Sequence, residues 1–344
     1  MLIFIFWIIL GFIGLYFGAK FVIIGLENIA NKLKISHLMV GLTVLAIGTS
    51  LPEVAVSVMG GIDKLLGVAP NIDGIVIGNK VGSFMIQITL ILGILGLSQN
   101  IFISKWELRR EFIMLFLSIF IFIIFALDLV ITYFEAFLLI TSYVLYIIFV
   151  IWSEKKIERK DLRFITSEKE RFTPKSVKTV DSAIETRSIK YYIGFFLIGL
   201  IILIIAADIT VLASSIFARE LDIPANVIGI LIVGLGTSLP ELVADLTAIR
   251  RKSYGIAVGD ILGSNICDIL AATGAGAIII EFNVPLIILV FDIPMLLIAL
   301  CFVTYFFWTE KTLKKWESAF LVGYFGFYAL LKIYYFQSTM FYIT

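Results

Sequence analysis

The sequence predicts an all-α integral membrane protein of ten transmembrane helices, built as two five-helix halves inserted upside down relative to each other. Three observations carry this expectation. First, 60% of the 344 residues are hydrophobic, 15% are charged, and the mean hydropathy is +1.06. A soluble domain is about 45–50% apolar and about 25% charged, so a soluble enzyme, a nucleic-acid binder and a disordered chain are excluded. Second, apolar stretches near the ~20 residues needed to cross the hydrocarbon layer recur along the chain. Third, a polar motif occurs twice, once in each half. The net charge of +1 identifies no partner; the placement of the charges is informative.

The spans are placed as follows. Residues 2–26 have no basic start, and Lys20 follows a long uncharged run, so this is a retained span rather than a cleaved signal. The loop after it holds Lys32, Lys34 and the single histidine, His37, an interfacial loop residue without ligand-spaced neighbours. Spans 38–61 and 74–97 follow, then 111–130 and 133–152, a helical hairpin turning near Asp128 and Glu135. Residues 153–190 are the only long polar segment. They mix both charge signs with Ser and Thr and lack apolar periodicity, which reads as a solvated tether, with a regulatory role left open. The chain is thereby divided into 1–152, 153–190 and 191–344. The second half has spans at 191–217, 226–248, 255–280, 285–307 and 317–337. Cys267 and Cys301 lie inside apolar runs, in no metal-ligand or redox spacing.

Basic residues fall in alternate loops. Lys32 and Lys34, then Lys105, Arg109 and Arg110, the run from Lys155 to Lys190, Arg250, Arg251 and Lys252, and Lys311, Lys314 and Lys315 occupy one set. The intervening loops hold only Lys64 and Arg219. The positive-inside bias puts the first set in the cytoplasm, tether included, and both termini outside a cell membrane.

Ala46-Ile47-Gly48-Thr49-Ser50-Leu51-Pro52-Glu53 is matched by Gly234-Leu235-Gly236-Thr237-Ser238-Leu239-Pro240-Glu241, and Gly78-Asn79-Lys80-Val81-Gly82-Ser83 by Gly259-Asp260-Ile261-Leu262-Gly263-Ser264. Two homologous halves of five spans each must lie inverted, an architecture of transporters with interrupted helices near the midplane. Pro52 and Pro240 have no N–H and leave the carbonyls of Gly48 and Gly236 free. Ser or Thr three or four residues before Glu also resembles a helix start, so each span breaks in its middle. Freed backbone groups in hydrocarbon need partners, and a cation supplies one. Thr49 and Glu53 are four apart, as are Thr237 and Glu241, which stacks hydroxyl and carboxylate on one helix face. A carboxylate at bilayer centre costs about 2.5–3.5 kcal/mol on insertion scales and is a site by default. Two of them meeting at the pseudo-two-fold axis, with hydroxyls and carbonyls, make the all-oxygen ligand set of a hard cation such as calcium. That set includes no His or Cys ligand to favour zinc or copper. Ser83 and Gln87, and Ser264 and Asp268, add oxygens at the same four-residue spacing, with flanking glycines for close helix approach.

These paired segments, with Gly263-Ser264-Asn265-Ile266-Cys267-Asp268 after the second, resemble the two alpha repeats of the calcium/cation antiporter superfamily, and within it the archaeal-type sodium/calcium exchangers. The resemblance spans essentially the whole chain, its specificity resting on 41–93 and 229–276. It implies that Glu53 and Glu241 are shared calcium and sodium ligands. Thr49 and Thr237 would flank them, Ser50, Ser238, Ser83 and Ser264 would complete outer sodium positions, and the carbonyls of Ala46 and Gly234 would be further sodium ligands. Asp268 matches a central aspartate that can be protonated. The spans 2–26 and 191–217 would slide across a static eight-helix core to give alternating access.

Three residues depart from that pattern. Gln87 stands where these exchangers usually have Asn, and crowds the cluster. Asp245 lies one turn past Glu241, where the first half has Ser57, and adds a negative charge. Lys80 lies on roughly the face of Ser83 and Gln87. It has three roles open to it: snorkelling to the interface, pairing with Asp245 or Asp260, or serving as a tethered cation in a site that otherwise takes sodium. The leading expectation is calcium exchanged for sodium; the alternative is the same fold coupling calcium or another divalent ion to protons, through carboxylates such as Asp245 and Asp268. An intramembrane hydrolase is disfavoured: Ala257-Val258-Gly259-Asp260 lacks a Gly-x-Gly-Asp pattern, and neither Gly-x-Ser-x-Gly nor His-Glu-x-x-His occurs. Inverted halves around a carboxylate pair favour a carrier over a channel. The expectation is thus a non-enzyme without organic cofactor, whose partners are inorganic cations and the lipid bilayer, not nucleic acid, with a monomer one option and the oligomeric state left open.

Overall fold

A computed structural model describes residues 2–32, 45–68, 72–102, 105–161, 188–250, 254–310 and 312–340. His37, residues 38–44 of the second expected span and residues 162–187 of the expected tether lie outside them. The described chain is helical, with two two-residue strand ladders. In order come α1 (Leu2–Lys32), α2 (Ala46–Thr49), α3 (Leu51–Leu65), α4 (Asp73–Ser98), α5 (Lys105–Ala126) and α6 (Tyr133–Asp161). After these come α7 (Ile189–Glu220), α8 (Ala225–Thr237), α9 (Leu239–Arg250), α10 (Tyr254–Ala277), α11 (π turn Ile288–Asp292, then Ile293–Glu310) and α12 (Lys315–Met340).

Six described helices are long and apolar enough to cross a membrane: α1, α4, α6, α7, α10 and α11. The pair α8 and α9, bent by 42° at Ser238, makes a seventh if counted as one span. Helices also stand at the other three expected positions, as α2 with α3, α5 and α12, each shorter, interrupted or more polar at its ends. Helix α6 runs on to Asp161, past the expected boundary at 152. Arg110, read in sequence as a loop charge, is buried: it binds Glu111 (2.7 Å) and Ser153 (3.1 Å), and Tyr146 donates to Glu111 (2.8 Å).

Burial grades the helices into layers. Within the span-length windows, α4 is 78% buried and α10 83%, whereas α1, α6 and α7 are 28–33% buried. The outer faces are apolar: Phe6, Ile13 and Phe17 on α1, Phe137 and Leu145 on α6, and Ile201 and Ile205 on α7 are exposed. Burying less than a third of so apolar a helix is stable only in lipid. Trp308 and Trp316 are exposed near helix ends, where membrane–water interfaces favour the indole.

Small residues set the inner contacts. A Cβ on Gly82 of α4 would lie 2.4 Å from the Ile230 carbonyl of α8, and one on Gly229 of α8 2.6 Å from the Ile75 carbonyl of α4. A Cβ on Gly276 of α10 would meet the Ser57 carbonyl of α3 at 2.6 Å. Backbone thus packs on backbone around the two buried helices, as in membrane interfaces rich in small residues. On the outside, α1 and α7 pair antiparallel along their length, Gly11 against Thr210, Gly14 against Ala206, Gly18 against Leu203 and Gly25 against Phe196.

Loops join in two groups. Strand β1 (Ile101–Phe102) pairs with β4 (Thr312–Leu313), and Tyr254 donates to Gln99 at 3.0 Å. Strand β2 (Val130–Ile131) pairs with β3 (Phe282–Asn283), beside Lys64, whose ammonium binds Asp73 (2.7 Å) and the Glu281 carbonyl (2.7 Å) while Asn283 donates to Asp73 (2.7 Å).

Candidate cation site

Both Gly-Thr-Ser-Leu-Pro-Glu segments interrupt a helix. Helix α2 ends at Thr49 and α3 begins at Leu51; α8 ends at Thr237 and α9 begins at Leu239. Ser50 and Ser238 occupy the breaks, and Pro52 falls in the first turn of its new helix, where its missing N–H costs nothing. Glu53 and Glu241 therefore sit in the first turn of a helix, at the end that favours negative charge. The two buried helices loosen at the same level: a π turn over Ile86–Ile91 carries Gln87, and another over Asp268–Ala272 opens with Asp268. Such turns are frequent at functional sites.

The side chains meet in matched pairs. Thr49 Oγ1 lies 3.1 Å from Ser264 Oγ, and Thr237 Oγ1 lies 3.1 Å from Ser83 Oγ. Ser264 donates to the Ala46 carbonyl at 3.4 Å, and Ser83 to the Gly234 carbonyl at 3.4 Å. The threonines reach those same carbonyls at 3.3 Å each. Thr49 also donates to Asp260 Oδ1 (3.3 Å), and in the mirrored position Asn79 Nδ2 donates to Thr237 Oγ1 (2.9 Å). Gln87 Nε2 donates to Asp268 Oδ2 at 3.3 Å, a link between corresponding positions of the two buried helices. Ser50 Oγ is 3.5 Å from the Ser264 carbonyl.

The carboxylates are under-satisfied. Glu53, Glu241, Asp245, Asp260 and Asp268 are all fully buried. Ser83 donates to Glu53 Oε1 at 3.2 Å, but among the described residues Glu53 Oε2, both oxygens of Glu241, both of Asp245, Asp260 Oδ2 and Asp268 Oδ1 have no hydrogen-bond donor. Ser57, Ser238 and the Gln87 carbonyl oxygen are buried without a partner in the same way. Glu241 is in electrostatic reach of Glu53, Asp268 and Asp260, and the Asp245 carboxyl lies against that of Asp260. Uncompensated burial of one anion costs several kcal/mol, on the order of the net stability of a domain, so cations or protons must complete the cluster. Among the described residues no three His, Cys, Asp or Glu side chains gather tightly enough to hold a metal by themselves. Hydroxyls, amides and carbonyls make up the remaining oxygens, which suits hard cations.

The sequence-predicted residues Ala46, Thr49, Ser50, Glu53, Ser83, Gln87, Gly234, Thr237, Ser238, Glu241, Ser264 and Asp268 thus occupy one buried region. Lys80 resolves differently from two of its open roles. It is fully buried, so it does not snorkel, and it pairs with neither Asp245 nor Asp260; its ammonium donates to the Glu53 carbonyl (2.5 Å) and to Asn79 Oδ1 (2.6 Å). Asn79 was given no role from sequence, although its place in the repeated frame, opposite Asp260, marks it.

Comparisons with known proteins place the chain in a family. The profile of the family described as sodium/calcium exchanger protein matches residues 3–152 and 191–334. An uncharacterized membrane protein of Methanocaldococcus jannaschii is 33% identical over 82% of this chain and 85% of its own. A sodium/calcium exchanger of Methanosarcina acetivorans, MaX1, is 29% identical over 95% and 97%. The solved structure of the sodium–calcium exchanger NCX_Mj, soaked with sodium and strontium, superposes with a TM-score of 0.60 at 26% identity, over 94% of this chain and 97% of the other. Matched contacts around a buried acidic cluster, in a helical membrane fold of this similarity, have one reading: the chain belongs to the sodium/calcium exchanger family and is a multi-pass membrane antiporter of cations.

Proposed function

We propose that this protein exchanges calcium for sodium across the cell membrane by alternating access, through one site whose central ligands are Glu53 and Glu241. The observation that carries the reading is the pair itself. Two fully buried glutamates, each starting a helix after a broken segment, face each other's field, and Glu241 has no donor on either oxygen among the described residues. A divalent ion neutralises both at once; several monovalent ions do the same in its place. Exchange follows from competition, because naked carboxylates cannot be carried past apolar walls and only loaded states switch. Thr49, Thr237, Ser50, Ser238, Ser83, Ser264, Gln87, Asp268 and the carbonyls of Ala46 and Gly234 complete the ligand set.

The matched contacts support two inverted halves, 1–152 and 191–344, joined by a cytoplasmic tether at 153–190. The loop groups support ten spans with both termini outside. β1–β4 and Tyr254–Gln99 join loops that the basic residues assign to the cytoplasm, whereas β2–β3 and the Lys64–Asp73–Asn283 cluster join loops assigned outside. In this reading α1 and α7, paired with each other and open to lipid, move across the remaining helices.

A second reading couples the divalent ion to protons, and the nearness of the Asp245 and Asp260 carboxyls, both fully buried, favours it, since neighbouring buried carboxyls readily share a proton. Proteoliposomes decide: calcium uptake driven by an imposed sodium gradient, and not by a pH gradient, is expected. Uptake driven only by the pH gradient supports the proton reading and overturns the first.

A further inference from the structure

We infer that the ammonium of Lys80 is a built-in monovalent cation of the transport site, standing where a free ion would otherwise be required. This rests on the exchange reading above. Lys80 is among the largest fully buried side chains of the protein, and its head lies against the backbone oxygen of Glu53, at the start of the broken helix. Its second acceptor, Asn79 Oδ1, is held by an amide whose nitrogen donates to Thr237, so the ammonium is fastened to both motif segments at once. The carboxylates whose charge it feels are Asp268 and Glu53, both candidate ligands. Neither forms an ion pair with it within 4.0 Å, so Lys80 balances the field of the cluster without closing a salt bridge that would occupy either carboxylate. An ammonium bound by a peptide carbonyl, an amide oxygen and the field of nearby carboxylates is in the surroundings of a bound alkali ion, and ammonium and potassium are close in size. The corresponding residue of the second half is Ile261, fully buried and uncharged, while that half carries Asp245 and Asp260 where the first has Ser57 and Asn79. The positive charge thus stands on one side and the extra negative charges on the other.

The consequence is a site one charge less demanding of free monovalent ions, in every loaded state. Calcium–calcium exchange in proteoliposomes, with choline as the inert monovalent ion, tests it without any driving gradient. The wild type is expected to exchange radiolabelled calcium at a rate unchanged when potassium or ammonium replaces choline. Lys80→Met is expected to lose about tenfold or more in choline and regain it with potassium or ammonium, while Lys80→Arg stays independent of both. Lys80→Met running at the wild-type rate in choline overturns the inference. So does a Lys80→Met protein that none of sodium, potassium or ammonium restores, or that folds in none of them, since a stand-in for a free ion must be replaceable by one. Absence of calcium–calcium exchange in the wild type instead overturns the exchange reading, and the inference with it.

Discussion

At the scale of single residues, the buried carboxylates set the expectations. Glu53→Gln and Glu241→Gln keep side-chain volume and remove a charge. Each is expected to lower calcium uptake by a hundredfold or more, about 3 kcal/mol for losing one member of a buried charged set. Melting temperature in detergent should hold or rise, because an unpaired buried anion has been removed; a matched fall in both quantities marks a folding defect instead. A different outcome is expected at Asp292, which binds Lys332 (2.6 Å) and Tyr328 (2.7 Å) between α11 and α12. Asp292→Asn strands a buried ammonium and should cost about 3–5 kcal/mol of stability, while Asp292→Leu with Lys332→Met should recover most of it. The glutamates were legible in sequence because an acidic residue in an apolar span has few structural reasons to be there. The burial of Lys80 was not. Helical spacing gives the face on which a lysine lies, but whether it snorkels or turns inward depends on how closely α8 approaches α4, which glycines of both helices set, Gly78 and Gly82 beside the lysine and Gly229 and Gly234 far from it in sequence.

At the scale of elements, the breaks at Ser50 and Ser238 were legible because proline chemistry is local. The pairing of Asn79 with Thr237, and of Thr49 with Asp260, was not, since it needs the crossing of helices far apart in sequence. Gly236 shows what such crossings demand. A Cβ there would lie 2.1 Å from the ring of Phe12 on α1. Gly236→Ala is expected to slow transport through overpacking worth about 1–3 kcal/mol. Phe12→Ala in the same chain should restore part of the rate, giving a clear coupling energy in a double-mutant cycle. Additive effects would mean that the ring and the broken helix move independently.

For the whole molecule, the open matter is which side each loop faces. In a Cys301→Ser background, leaving only the buried Cys267, cysteines at the exposed positions Leu66 and Asp128 should react with an impermeant maleimide from outside intact cells, and one at the exposed Asn100 only after permeabilisation. Labelling of Leu66 and Asn100 from the same side would break the ten-span alternation. Composition made the membrane class legible early, and the placement of charge supplies the orientation that this labelling tests. The count of spans is harder to read, because α3 and α5 carry charges or breaks at their ends.

The seam between α1 and α7 has a mechanical consequence. Gly11, Gly14, Gly18 and Gly25 leave no slack against Thr210, Ala206, Leu203 and Phe196, and Gly199 returns the fit against Val22. Such a seam transmits a push without yielding, so the two helices amount to one lever, and whatever tilts one end tilts the other. Under the proposed movement of α1 and α7 across the remaining helices, a covalent staple between positions 14 and 206 would leave transport running, whereas a staple from either helix to α3 would stop it.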